Sequence, residues 1–311
     1  MHCVIVGAGA MGSLFGGRLS SVTQVTLLDP WAQHVAAIQR GGLTIAELDG
    51  SETHVAITAT TDASAVAPAD LVILFVKSHA TRDASEQALR FLSPRGLALT
   101  LQNGIGNAET MAEVLGPDRV VAGVTSHGAT LLGPGRVRHA GTGPTHLCTR
   151  PDVADRLTAV AATLEQAGFE IHISEDLDTL VWGKLIINVG INALTAILRV
   201  PNGQLVEIPA ASNLMARAVE EAVAVARAKG IELPYSDPLA RVEQVARATG
   251  TNRSSMLQDV TRGAPTEIGV INEAIVDEGN RLDVDTPVNQ ALSLMVHAIQ
   301  DSYEARVDSG A

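Results

Sequence analysis

The hydrophobic positions of this chain follow two patterns, one in each half. In the first half, short apolar runs alternate with stretches in which apolar residues recur every three or four positions. The runs predict strands at residues 3–6, 25–28, 71–76, 97–101 and 120–124. The stretches predict helices around residues 10–19, 32–40 and 80–92. Strands that alternate with helices favour βαβ units and an α/β, doubly wound parallel sheet.

The pattern changes twice further along the chain. Between residues 120 and 148, short β-branched pieces are separated by glycine and proline, which predicts antiparallel strands at a sheet edge. After a predicted helix at 153–167 and strand at 170–173, the pattern becomes mostly helical. The predicted helices of this second half span residues 176–198, 210–229, 238–249 and 287–305. We therefore expect two domains, at 1–173 and 174–311.

Composition limits the classes of partner. The formal net charge of −12 argues against nucleic acid and against an anionic membrane surface. The most apolar helical stretch is interrupted by Lys184, Asn188 and Asn192, and the N-terminus lacks the basic cluster of a signal peptide, so no membrane span is expected. Cys3 and Cys148 suggest neither a disulfide framework nor a metal site. A cytoplasmic protein is the simplest interpretation.

A glycine-rich loop directly follows the first predicted strand and opens the first predicted helix. Its glycines would permit a tight turn, close approach of the backbone to a pyrophosphate, and close helix–strand packing. The helix N-terminus would offer N–H groups and a positive dipole end to the phosphates. The loop therefore predicts a dinucleotide site, although glycine turns without a ligand are also common. The predicted contacts are Gly7, Ala8, Gly9, Ala10, Met11 and Gly12.

Asp29 ends the second predicted strand, where an acidic side chain accepts hydrogen bonds from the ribose hydroxyls of NAD. A 2′-phosphate at this place would meet like charge. Residues 30–33 contain no Arg or Lys to offset this repulsion, and His34 is only a weak candidate for a cation that binds the 2′-phosphate. The residues thus favour NADH over NADPH. Asp29 could also cap the following helix, and the two roles are compatible.

Three polar residues interrupt the most apolar predicted helix. Lys184, Asn188 and Asn192 are four residues apart, so they lie along one helix face. Buried amides and a buried ammonium are costly without partners. The strip therefore indicates either recognition of a polar ligand or a hydrogen-bonded network between helices.

Other polar residues are individually ambiguous. Lys77 and Asn103 follow predicted strands, at the edge of a parallel sheet where ligands bind. Asn252 or Ser254 could cap a helix, Glu267 could be an exposed carboxylate, and Asp259 could be an exposed helix residue or support the site. His127 is interpreted as structural. The acidic residues at 277–278 and 283–285 are interpreted as solvated surface.

Taken together, these segments resemble the ketopantoate (2-dehydropantoate) reductase family over essentially the whole chain. The resemblance rests on the glycine loop and on later, more specific motifs. These are Val76-Lys77-Ser78, Gln102-Asn103-Gly104-Ile105-Gly106, Trp182-Gly183-Lys184, Pro201-Asn202-Gly203 and the segments 185–188, 192–196, 254–259 and 266–272.

The resemblance implies a Rossmann domain followed by an all-α domain like the C-terminal domain of 6-phosphogluconate dehydrogenase. It implies that Lys184 is the catalytic general acid and that Glu267 works beside it. Lys77 and Asn103 would lie near the nicotinamide and the substrate. Lys184 and Glu267 would also contact the substrate, together with Asn103, Asn188, Asn192, Asn252 and Ser255. The implied reaction is reduction of 2-dehydropantoate to D-pantoate, in pantothenate and coenzyme A biosynthesis.

One departure from the family leaves alternatives open. Family members commonly use NADPH and place a basic residue after the second strand, where this chain has Asp29-Pro30-Trp31. An NADH-dependent D-2-hydroxyacid dehydrogenase of the D-mandelate type, acting on branched or aromatic 2-oxo acids, is therefore a second hypothesis. A nucleotide-binding sensor or scaffold without turnover is a third. The apolar helical faces of the second half make a homodimer plausible.

Overall fold

The computed structural model describes residues 1–305 of the chain, which fall into two compact units. The first unit contains Met1–Gln102 and Gly106–Leu177. The second contains Asn103–Ile105 and the chain from Asp178 onward. The short segment Asn103–Ile105 is thus embedded in the sequence of one unit and packs with the other.

The first unit is built on strands that are numbered here in chain order. They are β1 (His2–Val6), β2 (Gln24–Leu28), β3 (Leu43–Ala46), β4 (Glu52–Val55), β5 (Thr58–Thr60), β6 (Ala69–Leu74), β7 (Leu92–Thr100), β8 (Val120–Thr125), β9 (Gly128–Gly133), β10 (Arg136–Gly141), β11 (Thr145–Cys148) and β12 (Ile171–Ser174). Eight of these form one sheet in the order β12-β11-β8-β7-β6-β1-β2-β5. All neighbours in it are parallel except β8 and β11.

The large sheet has the strand order of a dinucleotide-binding fold. Six of its strands, taken as β5-β2-β1-β6-β7-β8, give the order 3-2-1-4-5-6 when they are counted along the chain. The direction of winding reverses between β1 and β6, and the crevice at such a switch point is where these sheets bind ligands. The predicted Rossmann-type α/β fold is confirmed.

Helices cover both faces of this sheet. They are α1 (Ala10–Leu19), α2 (Ala32–Gly41), α3 (Thr81–Ala88), α4 (Asn107–Leu115) and α5 (Ala154–Gln166). Alternate residues of β1 enter different cores: Cys3 and Ile5 pack with Phe15 of α1, whereas Val4 and Val6 pack with Met111 of α4. A fully buried parallel strand needs apolar residues on both faces, which explains the unbroken apolar run at the N-terminus.

The segment 120–148 departs from expectation. β8 and β11 do pair antiparallel within the large sheet, but β9 and β10 join a second sheet of order β4-β3-β10-β9. The predicted antiparallel strands are therefore confirmed in the pairs β8–β11 and β9–β10, but they are divided between two sheets. β4 was not predicted, because the solvated strand Glu52–Val55 carries no buried apolar face to reveal it. β3 was also not predicted, although its Leu43 and Ile45 are buried.

The second unit is helical in its described residues. Its helices are α6 (Leu177–Leu198), α7 (Gln204–Glu207), α8 (Pro209–Ala228), α9 (Pro238–Ala248), α10 (Ser255–Arg262), α11 (Asn272–Leu282) and α12 (Pro287–Asp301). By length and composition α6 could cross a membrane, yet 67% of its most apolar window is buried inside the protein. It is the central helix of the second core, which confirms the predicted all-α domain.

Two smaller expectations are also corrected. The helix predicted over 80–92 ends at Ala88, because Leu92 already pairs with Ala69 of β6 in the sheet. Glu278 is not solvated surface: its side chain is largely buried and pairs with Lys229 at 2.8 Å and Arg281 at 2.6 Å. These bonds hold the pKa of its carboxyl below the usual range, with the Lys229 bond the largest cause.

Candidate cofactor and catalytic sites

The glycine loop of the first unit has the geometry that a dinucleotide requires. Gly7 has a φ of +94°, and a Cβ there would lie 2.6 Å from the backbone nitrogen of Val76. A Cβ on Gly12 would lie 2.0 Å from the Gly7 carbonyl oxygen. A Cβ on Gly9 would instead meet no atom within 4 Å, so this residue faces open space at the N-cap of α1. No side chain caps this helix. A pyrophosphate fits this cradle.

A chain of buried hydrogen bonds fixes the loop to α2. The Gly135 amide donates to His34 Nδ1 at 3.0 Å, which assigns the ring proton to Nε2. His34 Nε2 is 3.2 Å from Ser13 Oγ, and Ser13 Oγ donates to the Ala8 carbonyl at 2.7 Å. Burial lowers the pKa of His34, although Asp29 opposes the shift. His34 is therefore a neutral structural residue, with both ring nitrogens occupied.

Asp29 and Lys77 follow β2 and β6, the two strands that flank β1, so they share its carboxyl edge. Asp29 is half-buried, and its Oδ1 accepts a hydrogen bond from the Trp31 amide at 2.8 Å. The N-cap of α2 is Trp31, so Asp29 stabilises the preceding turn and does not cap the helix. Lys77 is half-buried before a short helical turn. These residues fit a dinucleotide whose ribose lies at Asp29.

In the second unit, three of the predicted site residues lie together. Lys184 is half-buried on α6, and burial lowers the pKa of its ammonium to about 8. Glu267 is 6% exposed, and its charge opposes that shift. Asn103 Nδ2 lies 3.4 Å from Glu267 Oε2. The site thus contains a cation of depressed pKa, a buried carboxylate and an amide, a combination suited to proton transfer.

Asn103 reaches Glu267 because of the glycine that follows it. Gly104 has a φ of +83°, and a Cβ there would lie 2.3 Å from the Val270 carbonyl oxygen. Next to it, the Ile105 amide donates to the same oxygen at 3.2 Å. Only glycine fits this close approach. The motif around Asn103 therefore holds the backbone against Val270 and also supplies the Asn103 side chain.

The residues of the polar strip on α6 differ in burial: Lys184 and Asn188 are half-buried, and Asn192 is buried. The Nδ2 atom of Asn188 is buried and finds no hydrogen-bond partner among the described residues. Asn192, one turn further, is 5% exposed. A hydrogen-bonded network between helices, the alternative role predicted for this strip, does exist nearby. Other residues form it: Asn272 donates to the Val189 carbonyl and to Asn289. An unsatisfied buried amide is costly, so the Nδ2 of Asn188 retains the capacity to donate a further hydrogen bond.

The start of α10 is tied to the same helix. Thr195 Oγ1 of α6 lies 2.7 Å from Ser254 Oγ, and Ser254 caps α10 by accepting from the Leu257 amide. Ser255 follows as the first residue of α10 and is half-buried. Asn252 is exposed in the preceding loop. Asp259 is 8% exposed, so its interpretation as an exposed helix residue is wrong.

Tyr235 was missed in the sequence. Its hydroxyl donates to the carbonyl of Gly183, the residue before Lys184, at 2.7 Å. Burial raises the pKa of this hydroxyl to about 12, so it remains a donor. An isolated tyrosine in a loop gives no sequence signal for such a contact.

His127 lies in the first unit, within an aromatic cluster. It stacks on His139 at 5.4 Å and meets Phe15 and Phe169 edge-on. Burial lowers its pKa to about 4, and His139 and Arg18 act in the same direction. These contacts are those of a packing residue.

Comparison with known proteins identifies the family. The family model described as Ketopantoate reductase PanE/ApbA matches residues 3–151, and that of the Ketopantoate reductase PanE/ApbA C terminal matches residues 176–300. The 2-dehydropantoate 2-reductase of Halobacterium salinarum is 40% identical over 302 residues, covering 96% of this chain and 99% of that protein.

Two solved structures show the same similarity. A PanE/ApbA family ketopantoate reductase from Ralstonia eutropha JMP134 has a TM-score of 0.89 at 36% identity, covering 98% of this chain and all of that one. D-Mandelate dehydrogenase in complex with NADH and anilino(oxo)acetate has a TM-score of 0.91 at 31% identity, covering 97% of this chain and 99% of that one. With both family models matched and full-length relatives above 30% identity, this chain belongs to the ketopantoate reductase PanE/ApbA family.

Proposed function

We propose that this chain is a nicotinamide-dependent 2-dehydropantoate 2-reductase, which reduces the C2 carbonyl of 2-dehydropantoate to give D-pantoate. The observation that carries the proposal is the half-buried Lys184, whose pKa is lowered to about 8 beside the buried Glu267. A lysine with only a structural role does not need a lowered pKa beside a buried carboxylate, whereas a general acid that works near neutral pH does.

Lys184 is assigned the role of general acid. As C2 is reduced, the electron pair of the carbonyl moves to its oxygen, and the ammonium stabilises this charge and donates its proton there. Glu267 keeps Lys184 protonated at neutral pH by raising its pKa against the effect of burial. Lys184 then regains a proton from solvent.

The remaining residues of the helical unit are assigned to substrate binding. The unpartnered Nδ2 of Asn188 would donate to a substrate oxygen, and Asn192 lies one turn further along α6. Ser255 begins α10, whose N-cap Ser254 lies 2.7 Å from Thr195 of α6. Asn252 and Asn103 complete the set. Amides and a hydroxyl orient the carboxylate and hydroxyl groups of the substrate without a further full charge, so Lys184 remains the site's cation.

For the cofactor we propose NADH. When bound, the reduced nicotinamide supplies the hydride. Residues 7–12 would hold the pyrophosphate, Asp29 the ribose hydroxyls, and Lys77 would lie on the nicotinamide side. The carboxylate of Asp29 repels a 2′-phosphate, residues 30–33 carry no cation, and His34 is neutral and occupied. These residues favour NADH over NADPH, the usual cofactor of the family.

A second candidate is reduction of larger 2-oxo acids. It is favoured by the similarity to D-mandelate dehydrogenase, whose structure holds NADH and anilino(oxo)acetate. That protein is 31% identical to this chain, below the 40% of the 2-dehydropantoate 2-reductase from H. salinarum. We therefore rank 2-dehydropantoate first.

We further propose a cytoplasmic homodimer that associates through the helical unit. An apolar surface groove of about 250 Å³ lies between α6, α8 and α12, and Arg217 is the charged residue of its lining. Depletion of charge is typical of interface centres. Cys3 and Cys148 are both buried and are not joined in a disulfide, which suits a reducing compartment.

The test is the initial rate with 2-dehydropantoate, measured with NADH and with NADPH, for the wild type and Lys184→Ala. We expect turnover with NADH that falls by at least about 100-fold in the variant, the contribution of a positioned general acid. Preference for NADPH would retain the reaction and overturn the argument from Asp29. Turnover of phenylglyoxylate but not of 2-dehydropantoate would establish the second candidate.

A further inference from the structure

Trp31 presents an aromatic ring at the cofactor edge of the first unit. The residue is 37% exposed, although tryptophan is usually largely buried. The ring lies parallel to the imidazole of His34, with centroids 5.2 Å apart and planes 6° apart. One face of the indole is therefore covered by a ring of its own unit, and the exposed area remains for a ligand.

The support under this indole is rigid. His34 is fully buried, and its two ring nitrogens are held by the Gly135 amide and by Ser13. Ser13 in turn donates to Ala8 of the glycine loop. The indole stacks on His34, and hydrogen bonds run from His34 through Ser13 to the loop proposed to hold the pyrophosphate, so the separation of indole and loop is fixed before a nucleotide arrives.

The position of Trp31 relative to Asp29 is also fixed. The Trp31 amide donates to Asp29 Oδ1 at 2.8 Å, which orients the carboxylate and leaves Oδ2 for the ribose. The adenine is attached to the ribose carbon next to the one that bears the 2′-hydroxyl. A ring two residues beyond Asp29 is consequently within reach of the base.

We infer that the Trp31 indole is the stacking surface for the adenine of the dinucleotide. The inference rests on the proposed use of NADH and extends it to the base. Any base offers a π-face to an aromatic ring, so this contact adds affinity without charge. A neutral ring at this place also offers no charge to bind a 2′-phosphate. Trp31 would therefore bind the base, and Asp29 would select a ribose without the 2′-phosphate.

The experiment uses the full-length protein and ADP-ribose, which contains the adenine and the pyrophosphate but no nicotinamide. Changes in tryptophan emission then cannot arise from energy transfer to nicotinamide. The chain has two tryptophans, and Trp182 is 2% exposed in the core of the other unit. In Trp182→Phe, which retains Trp31, we expect saturable quenching by ADP-ribose.

In Trp31→Leu, ADP-ribose should leave the remaining Trp182 emission unchanged. Calorimetry should show its affinity weakened by about 10-fold, with partial recovery in Trp31→Phe. Unchanged affinity in Trp31→Leu, or binding to Trp182→Phe without quenching, would overturn the stacking role and leave NADH-dependent reduction standing. If neither ADP-ribose nor NADH binds the wild type, the cofactor proposal and this inference both fail.

Discussion

Lys184 is subject to two opposing influences. Burial favours its neutral amine and lowers the pKa to about 8, whereas Glu267 favours the ammonium. At pH 7 the pH lies below this pKa, so the protonated acid predominates. In the direction of reduction, kcat/KM should therefore be high near pH 7 and should fall as the pH rises through about 8.

Glu267→Gln gives a test that separates charge from geometry. Removing the carboxylate charge removes the influence that raises the pKa of Lys184, so the alkaline limb of kcat/KM should move to lower pH. Glu273→Gln is the control, because Glu273 lies in the same unit and pairs with His297 at 2.9 Å. The measurement is the pH profile of kcat/KM for all three proteins. A limb that stays at the same pH in Glu267→Gln would show that Lys184 is not the titrating acid.

At the scale of elements, one short segment holds the beginning of α6. Thr179 Oγ1 donates to the Glu232 carbonyl at 2.8 Å, and Tyr235 donates to the Gly183 carbonyl four residues further along the helix. A Cβ on Gly183 would lie 2.7 Å from Pro234 Cγ, so glycine allows the segment to lie against the helix. Both hydrogen bonds are made on the turns that carry Lys184.

Tyr235→Phe removes the hydroxyl and keeps the ring. We expect a loss of about 1 kcal/mol in the free energy of unfolding, and a kcat lower by about 10-fold, because small misplacements of catalytic groups are costly. Tyr303→Phe is the matched control: it is also half-buried and donates to a backbone carbonyl, that of Ala264, at 3.0 Å. Urea unfolding and initial rates are the measurements. Equal losses of kcat in the two variants would contradict a positioning role for Tyr235.

The sequence predicts elements that have a strong periodicity and misses those defined by partners. The polar strip of α6 follows from four-residue spacing alone, and β1 from its apolar run. The hydrogen bond between Tyr235 and Gly183 joins residues 52 apart in sequence, so no local pattern indicates it. Likewise the role of His34 depends on Gly135, 101 residues away. Residue types thus predict which side chains could take part in catalysis, whereas the long-range contacts that position those side chains depend on the tertiary fold.

At the scale of the whole molecule, the distribution of apolar surface bears on assembly. α12 exposes Leu294 by 63% and Met295 by 50%, and Met295 lines the groove with Leu198 and Leu214. The most apolar helix, α6, contributes its C-terminal turn to the same surface. Contiguous apolar surface of this kind is typical of a protein interface. The same surface on a second copy would cover it in a twofold arrangement, in which one patch meets itself.

Met295→Glu tests this assembly. Association would remove this carboxylate from water, and in a twofold dimer it faces its own copy, so dimerisation should weaken by at least about 10-fold. Leu48→Glu is the control, because Leu48 is 55% exposed on the other unit and should leave association unchanged. Sedimentation equilibrium over a range of concentrations gives the dissociation constants. A wild type that is monomeric throughout, or equal weakening in both variants, would exclude this face as the dimer interface. Retained dimerisation in Met295→Glu would place the interface elsewhere.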